Sequence, residues 1–287
     1  MKVFLIGPGY SARRWLALGA RIGEASATGI AATIRDVADA PRFAAKGVKP
    51  VPFMASALRI AMEDADALIV SVPPGDKGDP ALAVLRDPPR GPRRIVYLST
   101  IGVYGDRDGG WVDETSAISP DADRSQARAD AEQAWTDWGD RLGAPVDLLR
   151  LAGIYGPGRN QLAQIKAGTA KRVVKPGQVF NRIHVDDIAA AVSACLAGKT
   201  DGGPLIVADD EPAPPQDVVA YAAGLMGVAP PPEAPFEQAN LSPMGASFYA
   251  ECKRANNARL RELTGGLIYP TYREGLRALW EAGEGRT

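Results

Sequence analysis

The stretch Lys2-Val3-Phe4-Leu5-Ile6-Gly7-Pro8-Gly9-Tyr10-Ser11-Ala12 decides how the rest of the chain is read. Its apolar run, residues 3–6, predicts a buried parallel strand that Gly7, Pro8 and Gly9 break before a helical pattern begins. Strand, tight turn and helix start, in that order, are the parts of a dinucleotide cradle. The first glycine allows the sharp turn, and the second lets backbone approach a pyrophosphate whose charge is favoured at a helix N-terminus. Gly7 and Gly9 fill those places, with Tyr10 and Ser11 opening the helix. Ala12 takes the third small position, where a methyl group still permits close helix-strand packing. A purely structural turn would use the same residues, so the downstream order has to decide between the two.

Composition bounds the answer. The chain has 287 residues, 46% of them hydrophobic, and a formal net charge of -1, which suits one large or two modest domains. That balance favours neither nucleic acid nor an acidic membrane as partner; a small-molecule substrate is expected. Cys195 and Cys252 are far apart, and with no Cys-x-x-Cys spacing neither zinc binding nor dithiol chemistry is expected. A reducing, cytoplasmic setting follows, with a monomer or homodimer as the expected state. No run approaches the ~20 apolar residues that span a bilayer, and neither a signal peptide nor a membrane helix is expected.

In chain order the first half alternates strand and helix. Trp15, Leu16, Leu18 and Ile22 predict a helix over 13–22, and 29–34 a second strand. At the end of that strand Arg35 and Asp36 occupy the place that meets the adenosine ribose. A carboxylate there takes ribose hydroxyls, and an arginine pairs with a 2′-phosphate, so NADP is favoured over NAD. A helix containing Phe43 precedes a strand near 51–53, and 67–72 is the clearest buried strand of this half. Its carboxyl end, with backbone at Ser71, Val72 and Pro73, should line the cofactor. Residues 74–92 predict a surface loop around a short helix at 80–85. Further strands are expected at 94–99 and 204–207, a long helix over 123–138, and a stiff proline-rich linker over 229–235.

Four separated motifs then point one way: the opening Gly loop; Ser99-Thr100-Ile101-Gly102-Val103-Tyr104-Gly105; Leu148, Arg150 and Leu151 followed by Ile154-Tyr155-Gly156-Pro157-Gly158; and Arg182-Ile183-His184-Val185-Asp186-Asp187. In that order they resemble the extended short-chain dehydrogenase/reductase superfamily, the NAD-dependent epimerase/dehydratase family, from Lys2 to about Trp280. The resemblance implies a Rossmann-like α/β fold, doubly wound around a mostly parallel sheet, with a small C-terminal substrate-binding domain. Residues 1–158 with about 181–208 would form the NAD(P)-binding domain, and 209–287 with about 159–180 the smaller one. Ser99 and Leu151 would lie at the cofactor edge. His184 reads as a structural residue, with Asp186 as N-cap of a helix over 188–196.

Catalysis in that family uses a Ser or Thr, a Tyr, and a Lys four residues after the Tyr. The hydroxyl orients substrate, the Tyr is acid or base, and the Lys lowers the Tyr pKa while holding the nicotinamide ribose. Thr100 stands in the hydroxyl place. Glu132 and Trp135 set the register of the long helix, so the Tyr place is Arg124 and the Lys place is Arg128. A guanidinium keeps its proton at physiological pH and cannot shuttle it, although Arg128 can still hold a ribose hydroxyl. Tyr104 and Tyr155 are the remaining candidate acids. A literal Tyr-x-x-x-Lys at Tyr249 and Lys253 lies far beyond the catalytic helix and is read as chance, while 244–249 is expected to close over the substrate. The expected activity is that of an oxidoreductase or epimerase-like enzyme on a small polar, sugar- or nucleotide-linked metabolite. The alternative is a silent NADP-binding redox sensor.

Overall fold

A computed structural model of the chain describes residues 1–85 and 91–286. Its main sheet has seven strands: β1 (Lys2–Ile6), β2 (Gly29–Ile34), β3 (Val48–Pro52), β4 (Ala67–Val70), β5 (Arg94–Thr100), β6 (Val146–Leu151) and β7 (Gly203–Val207). They lie in the order β7-β6-β5-β4-β1-β2-β3, and the pairings from β3 through to β5 are parallel. β4 is buried at every residue, as a continuous apolar run covered on both faces should be, and β6 is buried throughout although it carries Asp147 and Arg150. The order reverses at β1, which has β2 on one side and β4 on the other. Open sheets bind ligands outside the carboxyl ends of the strands at such a switch point. This is the doubly wound, Rossmann-like arrangement.

The chain divides into two compact units. The first comprises Met1–Val103, Pro120–Arg150 and Ile188–Leu205 and is built on the sheet. Its core joins Phe4, Ile6, Leu68, Val70 and Tyr97 to Trp135 and Trp138, which meet edge to face at 5.4 Å. Helices α1 (Tyr10–Ala17), α2 (Ala40–Ala44) and α3 (Ala55–Asp64) precede α4 (Asp123–Leu142), which carries both tryptophans and whose Trp135 indole donates to the buried Asp79 carboxylate at 2.9 Å. The second unit comprises Tyr104–Ser119, Leu151–Asp187 and the chain from Ile206 onward. Its apolar cluster gathers Tyr155, Leu162, Val218, Ala222, Tyr272 and Leu276. Among the described residues, no helix is long and apolar enough to cross a membrane.

Several boundaries differ from expectation for local reasons. The helix expected over 13–22 runs over Tyr10–Ala17, because Gly19 and Ala20 both take positive φ, +85° and +49°. Ile22 goes instead into a short hairpin, Arg21–Ile22 with Ala25–Ser26, to which the Trp15 indole is tied through the Arg21 carbonyl at 3.1 Å. The expected helix at 80–85 is a run of turns capped by Asp79, whose carboxylate accepts from the Ala81 N–H at 2.8 Å. Residues 86–90 of the expected surface loop lie outside the described residues. The helix expected over 188–196 begins at Val185, so Asp186 stands in its first turn and not at the N-cap. His184 Nδ1 accepts the Asp186 N–H at 3.2 Å. The stretch expected as a linker over 229–235 ends in a strand, Glu233–Pro235, paired in parallel with Arg172–Val174.

Candidate functional site

The cradle is built by the chain itself. Gly7 has φ +71°, and a Cβ there would stand 2.8 Å from the N, Cα and Cβ of Val72. Both the handedness and the close approach therefore require glycine. Its N–H donates to Thr33 Oγ1 at 2.7 Å, and its carbonyl accepts from the Ser71 hydroxyl. Ser71 thus supports the loop with its side chain, a role the sequence did not suggest. Gly9 precedes α1 (Tyr10–Ala17) as an extended N-cap with no side-chain cap, and a Cβ on it would meet only the Gly7 carbonyl, at 3.8 Å. The N-terminus of α1 therefore offers the partial positive charge of its helix without a capping side chain at Gly9. Ser11 and Ala12 are buried and seat the helix, while Tyr10 is half-buried.

Arg35 and Asp36 are exposed at the exit of β2. One oxygen of Asp36 accepts the Ala38 N–H at 2.9 Å and so caps the following turn. Arg13, which the sequence did not single out, donates from Nε to the Pro8 carbonyl at 2.8 Å and lies against the tip of the loop. Only its position one turn into the helix could have signalled this.

A second group forms where β5 meets α4. Glu132 pairs with Arg150 at 2.7 Å, both side chains almost wholly buried, and the Ser99 hydroxyl donates to the same carboxylate. Ser99 has therefore committed its hydroxyl proton to this carboxylate. One turn earlier on α4, Arg128 donates from Nη1 to the Tyr97 hydroxyl at 2.9 Å and to the Leu98 carbonyl at 3.2 Å. Burial pushes the Tyr97 phenol up to about 12, with Arg128 pulling against it. Thr100 Oγ1 accepts the Gly102 N–H at 3.1 Å and keeps its own proton to donate. Arg124 is exposed on the first turn of α4.

In the second unit Tyr155 is enclosed. A Cβ on Gly275 would fall 2.0 Å from its hydroxyl, which donates to the Thr271 carbonyl at 3.4 Å. Desolvation first, then Asp209 and Asp187, hold its proton well above the usual phenol range. Tyr104 is fully buried, and Leu151 is buried at the end of β6. His184 packs between Tyr155 and Tyr269, with ring centroids 5.1 and 4.1 Å away. Asp187 accepts the N–H groups of Ile268 and Tyr269 at 2.6 and 3.2 Å, and burial raises its pKa to about 6. Tyr249 packs among Phe180, Phe236 and Val173, while Lys253 pairs with Glu251 at 2.5 Å. Those two side chains are taken up separately.

Fold and cradle together define the protein class: a Rossmann-type α/β protein with the architecture of NAD-dependent epimerases and dehydratases. No family model matches the chain. A solved structure from Silicibacter pomeroyi, described as a functionally unknown conserved protein, is 40% identical, covers 99% of each chain and superposes with a TM-score of 0.84. The chain belongs to the same family as that protein. Protein YeeZ of Escherichia coli is 34% identical over 182 residues, 60% of this chain and 63% of YeeZ. A 3-diazoavenalumate denitrifying reductase of Streptomyces is 30% identical over 208 residues, 65% of this chain and 64% of that enzyme. The match thus spans under two thirds of these curated relatives. DesIV of Streptomyces venezuelae, a dTDP-glucose 4,6-dehydratase solved with NAD bound, shares the fold at 16% identity, with 97% and 95% of the chains covered and a TM-score of 0.76.

Proposed function

We propose that this protein is an NADP-dependent oxidoreductase acting on a small polar metabolite and working in the reductive direction. The observation that carries the reading is the Gly7 cradle: a glycine pressed against Val72, an open Gly9, and a helix start without a side-chain cap. The residues present fit a dinucleotide. Backbone of Gly9, Tyr10 and Ser11 would hold the pyrophosphate, and backbone of Ser71, Val72 and Pro73 would line the adenine side. Arg35 would take the 2′-phosphate, with Asp36 on the ribose. Arg128, Ser99 and Leu151 would lie toward the nicotinamide ribose. Once bound there, the nicotinamide supplies the hydride chemistry.

The chain's own residues support the reductive reading. On the resemblance, Arg124 would stand at the family's Tyr place and Arg128 at its Lys place. A guanidinium can hold an anionic acceptor but cannot take a proton from a substrate hydroxyl. Epimerisation and alcohol oxidation need a base to take that proton, whereas in reduction the hydride would go to the acceptor carbon and the oxyanion formed would take its proton from water. Thr100 would orient the acceptor with its remaining hydroxyl proton. Tyr104 and Tyr155 receive no proton-transfer role, since protein encloses both. A reductase among the relatives agrees with this direction, and no feature of the site favours the silent-sensor alternative. Calorimetric titration with NADP, NADPH, NAD and NADH tests the reading. NADP(H) should bind about 10-fold or more tighter than NAD(H). Absence of binding by all four overturns it.

A further inference from the structure

We propose that Tyr97 is a positioning residue that aims Arg128 at the nicotinamide ribose. This rests on the dinucleotide reading above. Among the described residues Arg128 bonds through a single nitrogen: Nη1 is held by the Tyr97 hydroxyl at 2.9 Å and the Leu98 carbonyl at 3.2 Å. Its guanidinium carbon lies 5.5 Å from the centroid of the Tyr97 ring, so the ring and the two acceptors together fix the plane of the group. Nε and Nη2 donate to no described residue. The edge that remains carries two N–H donors side by side, the fork that matches a vicinal diol or an oxyanion bidentately.

A lysine at this place would need no such support, because an ammonium is a point charge that bonds in any direction along its flexible stem. A guanidinium is planar, and its fork is useful only when aimed. Tyr97 is fully buried on β5 with its hydroxyl turned to α4. Its phenol is held up near 12, so it stays a neutral hydroxyl and a constant acceptor across the working pH range. Arginine on the helix and tyrosine on the strand form one device.

The test is a double-mutant cycle on dinucleotide affinity, read by calorimetry with NADPH. Tyr97→Phe, which removes one oxygen from a core that keeps its shape, should weaken NADPH about 10-fold. In an Arg128→Ala background the same change should cost under about 2-fold, because the residue it aims is gone. Adenosine 2′,5′-bisphosphate carries no nicotinamide ribose, and its affinity should be the same in wild type and Tyr97→Phe. Equal NADPH affinity in wild type and Tyr97→Phe overturns the proposal, as do fully additive losses or an equal loss of the bisphosphate. Failure of wild type to bind any dinucleotide overturns the functional reading itself, a result distinct from these.

Discussion

Val72 occupies the space in which a side chain at Gly7 would begin: its N, Cα and Cβ all lie 2.8 Å from that point. The strand exit of β4 therefore sets the residue type at the strand exit of β1. Gly7→Ala meets both this contact and a φ of +71°. We expect a loss of about 2–4 kcal/mol in urea unfolding, from strain of about 1–3 kcal/mol plus overpacking. Gly9→Ala, with only an oxygen at 3.8 Å to meet, should leave stability within about 1 kcal/mol and weaken dinucleotide binding instead.

The Glu132–Arg150 pair lies in the interior, with 4% and 7% of the two side chains exposed. Glu132→Ala would leave Arg150 charged and unpartnered by this carboxylate, and we expect about 3–5 kcal/mol of destabilisation in denaturant melts. The Arg273–Glu211 pair, 46% and 29% exposed, gives the contrast. Arg273→Ala should cost under about 1 kcal/mol.

Arg35→Ala should separate the two cofactors. If Arg35 takes the 2′-phosphate as proposed, its removal should weaken NADPH about 10- to 100-fold while changing NADH under about 3-fold. Equal losses for both, measured by calorimetry, would place Arg35 away from the 2′-phosphate.

Asp187 makes a pH-dependent contribution of defined sign. Burial raises its folded pKa to about 6, above the ordinary carboxylate range, so the folded state holds the proton more tightly than the unfolded chain. Its contribution is fully present below about pH 4 and is lost as pH rises through about 6. The stability of wild type relative to Asp187→Asn, from urea melts at pH 4, 5, 6 and 7, should fall by up to about 3 kcal/mol across that window. A constant difference would mean that the carboxyl titrates alike in both states.

Much of the frame was legible because it is written locally. The strand over 29–34 was read at its true limits, and Gly7 declared its turn by standing between an apolar run and a proline. Helix α1 was read too long because Leu18 and Ile22 continue its apolar spacing, while the positive φ at Ala20 has no sign in an alanine. α4 extends four residues past the expected 138 to Leu142, where polar residues carry no apolar period. The site was legible in its backbone parts and less so in its side chains. The support given by Ser71 to Gly7 spans 64 residues, and the Tyr97–Arg128 bond spans 31. Such pairings are made by sheet order and have no local pattern.

The cradle's supports have a consequence for how a ligand would arrive. Thr33, Ser71 and Val72 hold Gly7 in place with no ligand as intermediary. A pyrophosphate entering that turn meets a loop that has already given up its conformational freedom during folding, so little of the binding free energy is spent on ordering. Affinity at this end should then track the hydrogen bonds made, and dissociation should proceed without any part of the first unit having to unfold.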